Sequence, residues 1–270
     1  MPVRWTIRLH APTAARHATP AQLHGLACAL FEGAGADHTS QHKPFSTSPL
    51  LAVDQRQGIT ELCVGWMDDR TIPPLDVLIG HQVRLGPQHF TVHHVDQQAA
   101  PYEALLKAPA ERHAEITFLS PTLFTRSGRW IPLPDPELIY RSLLRRWTQY
   151  APAPFDDPVV KELFDALVLT AHDTASEPVT LPRGNRTGFT GRACLALLSG
   201  TSQEATAAFS ALTRFAPVAG VGAQTTHGLG YVRTTLTRST HPAGSARGPG
   251  RTPPHRPTSA ATPQVGAADG

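Results

Sequence analysis

Hydrophobic residues occupy every second position over residues 3–9, and the period of the pattern then lengthens. The alternation predicts a strand with one buried face, because successive side chains of a strand point to opposite sides. Thr19 and Pro20 predict the start of a helix, since threonine caps helices well and proline suits the first helical position. The next predicted elements are two extended segments at about 43–52 and 59–67, a short helix at 73–79 and a strand-like segment at 82–96. This β-α-β-β-α-β order is typical of a ferredoxin-like fold.

The same order of elements recurs in the second half of the chain. Asp135, a good N-cap, and an apolar stripe predict a strong helix over 136–150. The other predicted elements are a strand at 113–119, strands at about 164–182 and 187–198 around the turn 183–186, a helix from Ser202 to about Phe215, and a closing strand at 229–236. We therefore predict an α+β protein with two tandem ferredoxin-like domains, residues 1–98 and 113–237, joined by a linker near 97–112. One merged α/β domain is the alternative.

Residues 238–270 differ in composition from the rest of the chain. They are rich in Pro, Gly, Ala, Ser and Thr, with Val265 as their one bulky aliphatic residue, so we expect this tail to be disordered. Four arginines and one aspartate in the tail account for the whole formal net charge of +3. A nucleic-acid site in the body of the protein would therefore require local clustering of basic residues.

The cysteines indicate a reducing compartment. Cys28, Cys63 and Cys194 are far apart and odd in number, which favours free thiols over disulfides or a zinc site. The chain has no run of 18 apolar residues, and its first residues lack the core of a signal peptide. We expect a soluble cytoplasmic protein without a bound metal or cofactor.

A glycine-rich loop, AGVGAQTTHGLGYVR, begins at Ala219. It does not fit the dinucleotide-binding motif, because a helix precedes it and a strand follows it. Its glycines permit close approach to an anion such as a polynucleotide backbone, but they equally suit a mobile tight turn. The candidate RNA-binding residues of the loop are Gly220, Gly222, Gln224, Thr225, Thr226, His227, Gly228 and Gly230.

Four segments together resemble the RAMP superfamily of CRISPR-associated proteins, and in particular its repeat-processing endoribonuclease. They are the glycine-rich loop, FTGRACLALL at 189–198, ITFLSPTLFTRSGRWIPLPDPELIYRSLLRRW at 116–147, and KPFSTSPL at 43–50. The resemblance implies two ferredoxin-like domains and cleavage of CRISPR precursor RNA into guide RNAs. CRISPR repeat RNA is the implied partner, whereas a homodimer and contacts with effector-complex subunits stay open.

The resemblance also implies metal-independent chemistry in which a 2′-hydroxyl attacks the adjacent phosphate. His38 matches the histidine that many members carry, with His42 as the second candidate and Lys43 as the cation for the phosphate. Histidine suits general acid–base work because its pKa lies near neutrality. A tyrosine used by some members has no counterpart here. A non-catalytic RNA-binding subunit of an effector complex is therefore the alternative function, and a nucleotide-binding regulator is a third.

Four arginines complete the predicted RNA-binding set. Arg141 and Arg145 are one turn apart on the helix at 136–150, and Arg183 and Arg186 flank a Gly-Asn turn. Helical residues four apart share a face, and a hairpin tip can enter a groove or contact phosphates. Taken singly, such arginines are most often solvated surface charges.

Overall fold

A six-stranded antiparallel sheet forms the first half of the computed structural model. The structure describes residues 1–11, 18–31, 43–54, 57–182 and 184–237. The elements of this half are β1 (Val3–His10), α1 (Pro20–Phe31), β2 (Phe45–Thr47), β3 (Leu51–Asp54), β4 (Ile59–Trp66), a 3₁₀ turn (Leu75–Leu78), β5 (Gln82–Leu85) and β6 (Gln88–Ala99). The strand order is β2-β4-β1-β6-β5, with β3 also paired to β4.

A four-stranded antiparallel sheet forms the second half, with strand order β10-β11-β7-β12. The elements are α2 (Tyr102–Lys107), β7 (His113–Thr122), β8 (Phe124–Arg126), β9 (Arg129–Ile131), α3 (Pro136–Tyr150), α4 (Asp157–Ala166), β10 (Leu167–Leu181), β11 (Gly184–Leu197), α5 (Gln203–Ala219), a 3₁₀ turn (Thr225–His227) and β12 (Val232–Thr237). In the first sheet β1 lies between β4 and β6, and in the second sheet β7 lies between β11 and β12, which is the ferredoxin-like arrangement. The predicted tandem ferredoxin-like fold is confirmed, and the exact domain boundaries stay a prediction.

Local sequence explains where the helices begin. At α1, the Gln22 amide donates to Thr19 Oγ1 over 3.3 Å and the Thr19 amide donates to Gln22 Oε1 over 2.9 Å, a reciprocal capping box. At α3, the Leu138 amide donates to the Asp135 carboxylate over 2.9 Å, as the predicted N-cap requires. None of the described helices is long and apolar enough to cross a membrane.

Three predicted segments differ from the structure. The linker near 97–112 contains α2, and the residues expected to begin a strand at 164 end α4, which starts at Asp157. Helix α4 was not predicted, although it opens with Asp-Asp-Pro, and aspartate and proline favour the first turn of a helix. The predicted turn at 183–186 is shorter, since β11 already begins at Gly184. The β8–β9 hairpin was not predicted because its strands have only three residues each.

Each half has its own hydrophobic core. The first half buries Trp5, Ile7 and Phe90 between its sheet and α1, and the second packs Trp147 and Phe215 among α3, α5 and its sheet. The predicted alternation of β1 is confirmed, because its four apolar side chains are all buried. Cys28, Cys63 and Cys194 are thiols and do not take part in disulfide bonds.

The two halves meet where β4 and β2 lie against the C-terminal end of α5. Ser46 Oγ donates to the Val218 carbonyl over 2.6 Å. A Cβ atom built on Gly65 would lie only 1.9 Å from that same carbonyl oxygen, so the backbones approach too closely for any side chain. The Tyr102 hydroxyl makes a second link, donating to the Met67 carbonyl over 2.8 Å. These contacts join the described residues into one unit.

We predict that Gly65→Ala lowers the free energy of unfolding by about 2–3 kcal/mol, because the new methyl group forces β4 away from α5. The matched control is Gly25→Ala in α1, where a Cβ meets nothing within 4 Å. That change should raise stability by about 0.5–1 kcal/mol, since alanine favours a helix over glycine. Urea unfolding of both variants measures the effect. Equal stabilities would contradict the close approach at Gly65.

Candidate nucleic-acid interface

The glycine-rich loop, residues 219–230, is packed inside the protein over most of its length. Its four glycines all have positive φ angles, between 65° and 84°. A Cβ on Gly230 would lie 1.9 Å from the Val221 carbonyl oxygen, and one on Gly228 would lie 2.6 Å from a methyl group of Leu23 in α1. The bare backbone therefore lets the loop fold against itself and against the first half. Gln224 is its exposed residue, and Thr226 and His227 are half-buried.

Arg146 of α3 holds the loop from the opposite side. Its guanidinium donates to the Gly222 carbonyl over 2.8 Å, to Thr225 Oγ1 over 3.0 Å and to the Ser142 carbonyl over 3.0 Å. The Gly222 amide in turn donates to Ser142 Oγ over 3.1 Å. Burial, together with the neighbouring Arg145, lowers the pKa of Arg146 to about 10. The side chain therefore keeps its charge at neutral pH.

A groove of about 710 Å³ lies between α3, β8 and the loop, and we call it the basic groove. Arg141 and Arg145 of α3 line it together with Gly222, so the structure brings three predicted RNA-binding residues to one place. Arg126 of β8 also lines the groove. Sequence reasoning missed Arg126, although the Arg-Ser-Gly-Arg turn that follows it is a hairpin signal.

Glu137 is the acidic residue of the basic groove. Its carboxylate accepts a hydrogen bond from Arg141 Nε over 2.6 Å and lies 4.0 Å from Arg126 Nη1. These exposed ion pairs hold the two guanidinium groups in place but contribute little to stability. Three cations against one anion leave the groove with a net positive charge, which suits a phosphate backbone.

Arg186 lies in a second groove, of about 460 Å³, which also borders the β8–β9 hairpin. Its guanidinium carbon is 5.2 Å from the centre of the Trp130 ring, within the range of a cation–π contact. The structure therefore places Arg186 apart from Arg141 and Arg145. Arg183, the other predicted arginine of this turn, lies outside the described residues.

The predicted catalytic segment is described only at its two ends. His38 and His42 lie outside the described residues, whereas Lys43 lies two residues before the start of β2 and is half-buried. Phe31, at the end of α1, and Phe45, at the start of β2, have ring centroids 5.1 Å apart. The described residues on either side of the stretch that carries both histidines are therefore in contact with each other. Within the described residues, no three His, Cys, Asp or Glu side chains converge as a metal site.

A stacked pair of histidines links α1 to the loop, and sequence reasoning assigned no role to the first of them. The His24 and His227 rings are parallel within 4°, with centroids 4.1 Å apart. His24 Nδ1 donates to the Thr226 carbonyl over 3.2 Å, and Thr226 Oγ1 lies 3.0 Å from His227 Nδ1. Burial, and then the nearby His24 ring, lower the pKa of His227 to about 4. His227 is therefore neutral at pH 7.

The comparisons with known proteins agree with this architecture. Residues 116–232 match the family model described as "CRISPR-associated endoribonuclease Cas6". A protein of that name from Mycobacterium tuberculosis (strain CDC 1551 / Oshkosh) is 30% identical over 126 residues, which are 46% of this chain and 40% of the relative. The matched region thus spans two fifths of that relative's length.

Solved structures extend the likeness over the whole described body. A product complex of Cas6 aligns with a TM-score of 0.74 and 29% identity, covering 87% of this chain and 100% of its own. The chain is therefore similar to Cas6 endoribonucleases in sequence over its second half and in fold over its described body. Cas6 from Thermus thermophilus gives a TM-score of 0.70 with 29% identity, over 87% of this chain and 98% of its own. A Cas6 substrate-mimic complex and a histidine-to-alanine mutant of Cas6 both align with TM-scores of 0.72 and 28% identity.

Arg146→Met should lower the free energy of unfolding by about 2–4 kcal/mol, because the Gly222 carbonyl and the Thr225 hydroxyl lose their buried donor. The matched control is Arg145→Met, which changes the adjacent exposed arginine and should stay within about 0.5 kcal/mol of the wild type. Urea unfolding measures both effects, and faster amide exchange over 221–228 in Arg146→Met would locate the damage. Equal behaviour of the two variants would show that Arg146 does not hold the loop.

The histidine pair predicts an acid-sensitive contact between α1 and the loop. The pKa of His227 is about 4 in the folded protein, whereas its ordinary value is 6.5. The unfolded chain therefore binds more protons between these two pH values, and stability falls as the pH drops through them. We expect a loss on the order of 1–2 kcal/mol, since solvent partly screens this half-buried ring. Unfolding of wild type and His227→Gln at several pH values measures it. A wild-type pH dependence identical to that of the variant would refute the assignment.

Proposed function

We propose that this protein cuts CRISPR repeat RNA into guide RNAs. The observation that carries the proposal is the basic groove, in which Arg126, Arg141 and Arg145 line the edge of the glycine-rich loop. The matched family model is described as an endoribonuclease, and the matched Cas6 structures include a product complex and a substrate-mimic complex. Because the groove is positively charged and lies beside the loop, the RNA backbone would run along it.

The loop itself would contact the RNA through few atoms. Its glycines Gly220, Gly222, Gly228 and Gly230 are buried, so their proposed part in RNA binding is to shape the wall of the groove. Gln224 is exposed and has left-handed backbone angles, so it is the residue of the loop most accessible to RNA. Thr225 faces Arg146 instead, as its hydroxyl accepts from that guanidinium.

For the chemistry, we propose a 2′-hydroxyl attack that needs no metal ion. A general base removes the 2′-OH proton, the oxygen bonds to the adjacent phosphorus, and the bond to the 5′-oxygen breaks. A general acid then protonates that 5′-oxygen, leaving a 2′,3′-cyclic phosphate and a 5′-OH. We propose His38 as the acid or base, with His42 as the second candidate, and Lys43 as the cation that stabilises the charge on phosphorus.

Two observations support this assignment. One of the matched Cas6 structures is a histidine-to-alanine mutant, which points to a histidine of interest in that protein. In this chain, the segment after Lys43 packs on the loop, since a Cβ on Gly228 would lie 3.4 Å from the Pro49 nitrogen and the Ser48 carbonyl oxygen. The proposed cation therefore lies on the element that contacts the proposed RNA-binding loop.

The second candidate function is a non-catalytic RNA-binding subunit of a CRISPR effector complex. It is favoured by the environment of Tyr102, the first tyrosine along the sequence. Tyr102 is buried, donates to the Met67 carbonyl over 2.8 Å and has a raised pKa because of burial, so it contributes to holding the two halves together. We therefore propose no catalytic role for Tyr102.

The deciding experiment is cleavage of the repeat RNA from the same genome in excess EDTA. We expect the wild type to make a single cut, and we expect His38→Ala and a 2′-deoxy substitution at the cut site each to slow cleavage by about 100-fold or more, the usual contribution of one acid–base group. His42→Ala and Lys43→Ala run beside them to separate the three assignments. A full-length RNA bound tightly but left uncut by the wild type would favour the binding subunit.

The basic groove is tested separately, by the salt dependence of RNA binding. Arg145→Met should weaken binding uniformly and lower the slope of log K against log salt by about 1, because one phosphate contact is lost. Arg112→Met is the matched control, since this arginine donates to the carbonyls of Leu198 and Thr201 outside the groove. If the slope of log K against log salt is unchanged in Arg145→Met, the RNA binds outside the basic groove.

A further inference from the structure

Trp130 is the exposed one of the four tryptophans in the chain. It is 37% exposed, whereas Trp5, Trp66 and Trp147 are exposed by 6% or less. A tryptophan left in contact with water forfeits the stabilisation that burying its large apolar ring would provide. Trp130 lies in β9 at the edge of an open groove, so a ligand bound in that groove would cover its ring.

The groove around Trp130 combines three kinds of surface. Arg186 lies over the ring at 5.2 Å, and its Nη1 donates to the Asn185 carbonyl over 2.7 Å, which fixes the guanidinium. Pro132 and Pro178 supply rigid apolar walls. The Asn185 side chain and the Thr187 hydroxyl supply hydrogen-bonding groups along the same groove. The whole space is about 460 Å³, the lower part of the size range for small-ligand sites.

We propose that this groove binds an unpaired nucleobase of the RNA, stacked on Trp130 beside Arg186. The inference rests on the proposed function, and it adds a base-binding site to the phosphate-binding groove. Aromatic rings and guanidinium planes are the surfaces on which proteins stack splayed-out RNA bases. A base inside a duplex is already stacked on its neighbours, so the occupant is a single-stranded nucleotide.

The β8–β9 hairpin connects this base site to the basic groove. Thr125 and Arg126 of β8 line the basic groove, and Trp130 of β9 pairs directly with Thr125 across the hairpin. Neighbouring strands are about 4.8 Å apart, less than the length of one nucleotide. An RNA strand whose phosphates contact Arg126 can therefore place a nearby base on Trp130 without a gap in the contact surface.

A purely structural role is the competing explanation for the Trp130–Arg186 contact. In that case the contact would hold the β8–β9 hairpin against β11, and its loss would distort both grooves at once. The two explanations predict different effects on RNAs that contain unpaired nucleotides and on RNAs that are fully paired. Removing a base site affects RNA with unpaired nucleotides, whereas loosening the hairpin also affects a fully paired stem held in the basic groove.

The test is a titration of the full-length protein with two RNAs, the full repeat from the same genome and its stem-loop trimmed of unpaired flanks. We expect the full repeat to quench the fluorescence of the wild type, because Trp130 is the tryptophan accessible to a stacked base, and the trimmed stem-loop to quench it far less. Trp130→Ala should weaken binding of the full repeat by about 10-fold, the size expected for one lost base stack. Trp130→Phe should restore most of that affinity, since phenylalanine also stacks.

Leu133→Ala is the matched control, because Leu133 is 60% exposed, close in sequence and outside both grooves. It should bind both RNAs as the wild type does. If Trp130→Ala weakens both RNAs equally, or neither, or if the full repeat leaves the fluorescence unchanged, the base site is refuted while RNA binding by the basic groove stands. If the wild type binds neither RNA, the proposed function itself fails, and the base site with it.

Discussion

The buried guanidinium of Arg146 is the interaction on which the functional surface depends. A charge inside a protein is tolerated only when hydrogen bonds replace its hydration, and here the acceptors include the Gly222 carbonyl and the Thr225 hydroxyl of the loop. That requirement fixes the loop to α3. Because Arg141 and Arg145 lie on the exposed side of the same helix, one element both anchors the wall of the groove and supplies its cations.

The same loop joins the half that contains the basic groove to the half that carries the proposed chemistry. On the side away from Arg146, Gly228 lies against Leu23 of α1, and the His24 and His227 rings stack. Helix α1 leads directly into the stretch that contains His38. The residues proposed to hold RNA and those proposed to cut it come from different halves of the chain. Described elements of both halves, α1 and α3, contact this one segment of about a dozen residues.

The glycine cluster shows how far sequence reasoning could reach. Four glycines in so short a stretch indicate close approach of backbone to something, but glycine does not distinguish a ligand from the protein itself. The structure shows that Gly230 approaches Val221 and that Gly228 approaches Leu23, so the close approach is internal. Arg146 could not have been singled out either, because its neighbours Arg141 and Arg145 have the same residue type and only the fold decides which of the three is buried.

The sequence by itself determined the fold class, since alternating apolar positions, helix caps and the order of elements are local properties that survive into the tertiary structure. It also determined the candidate residues of α3, because helical spacing places Arg141 and Arg145 on one face. Tertiary structure alone decided which residues meet: Arg126 and Trp130 lie on a hairpin too short for a periodic signal, and the histidine pair joins positions 203 residues apart. Contacts of that kind depend on how separate elements pack, and no local pattern of residues encodes them.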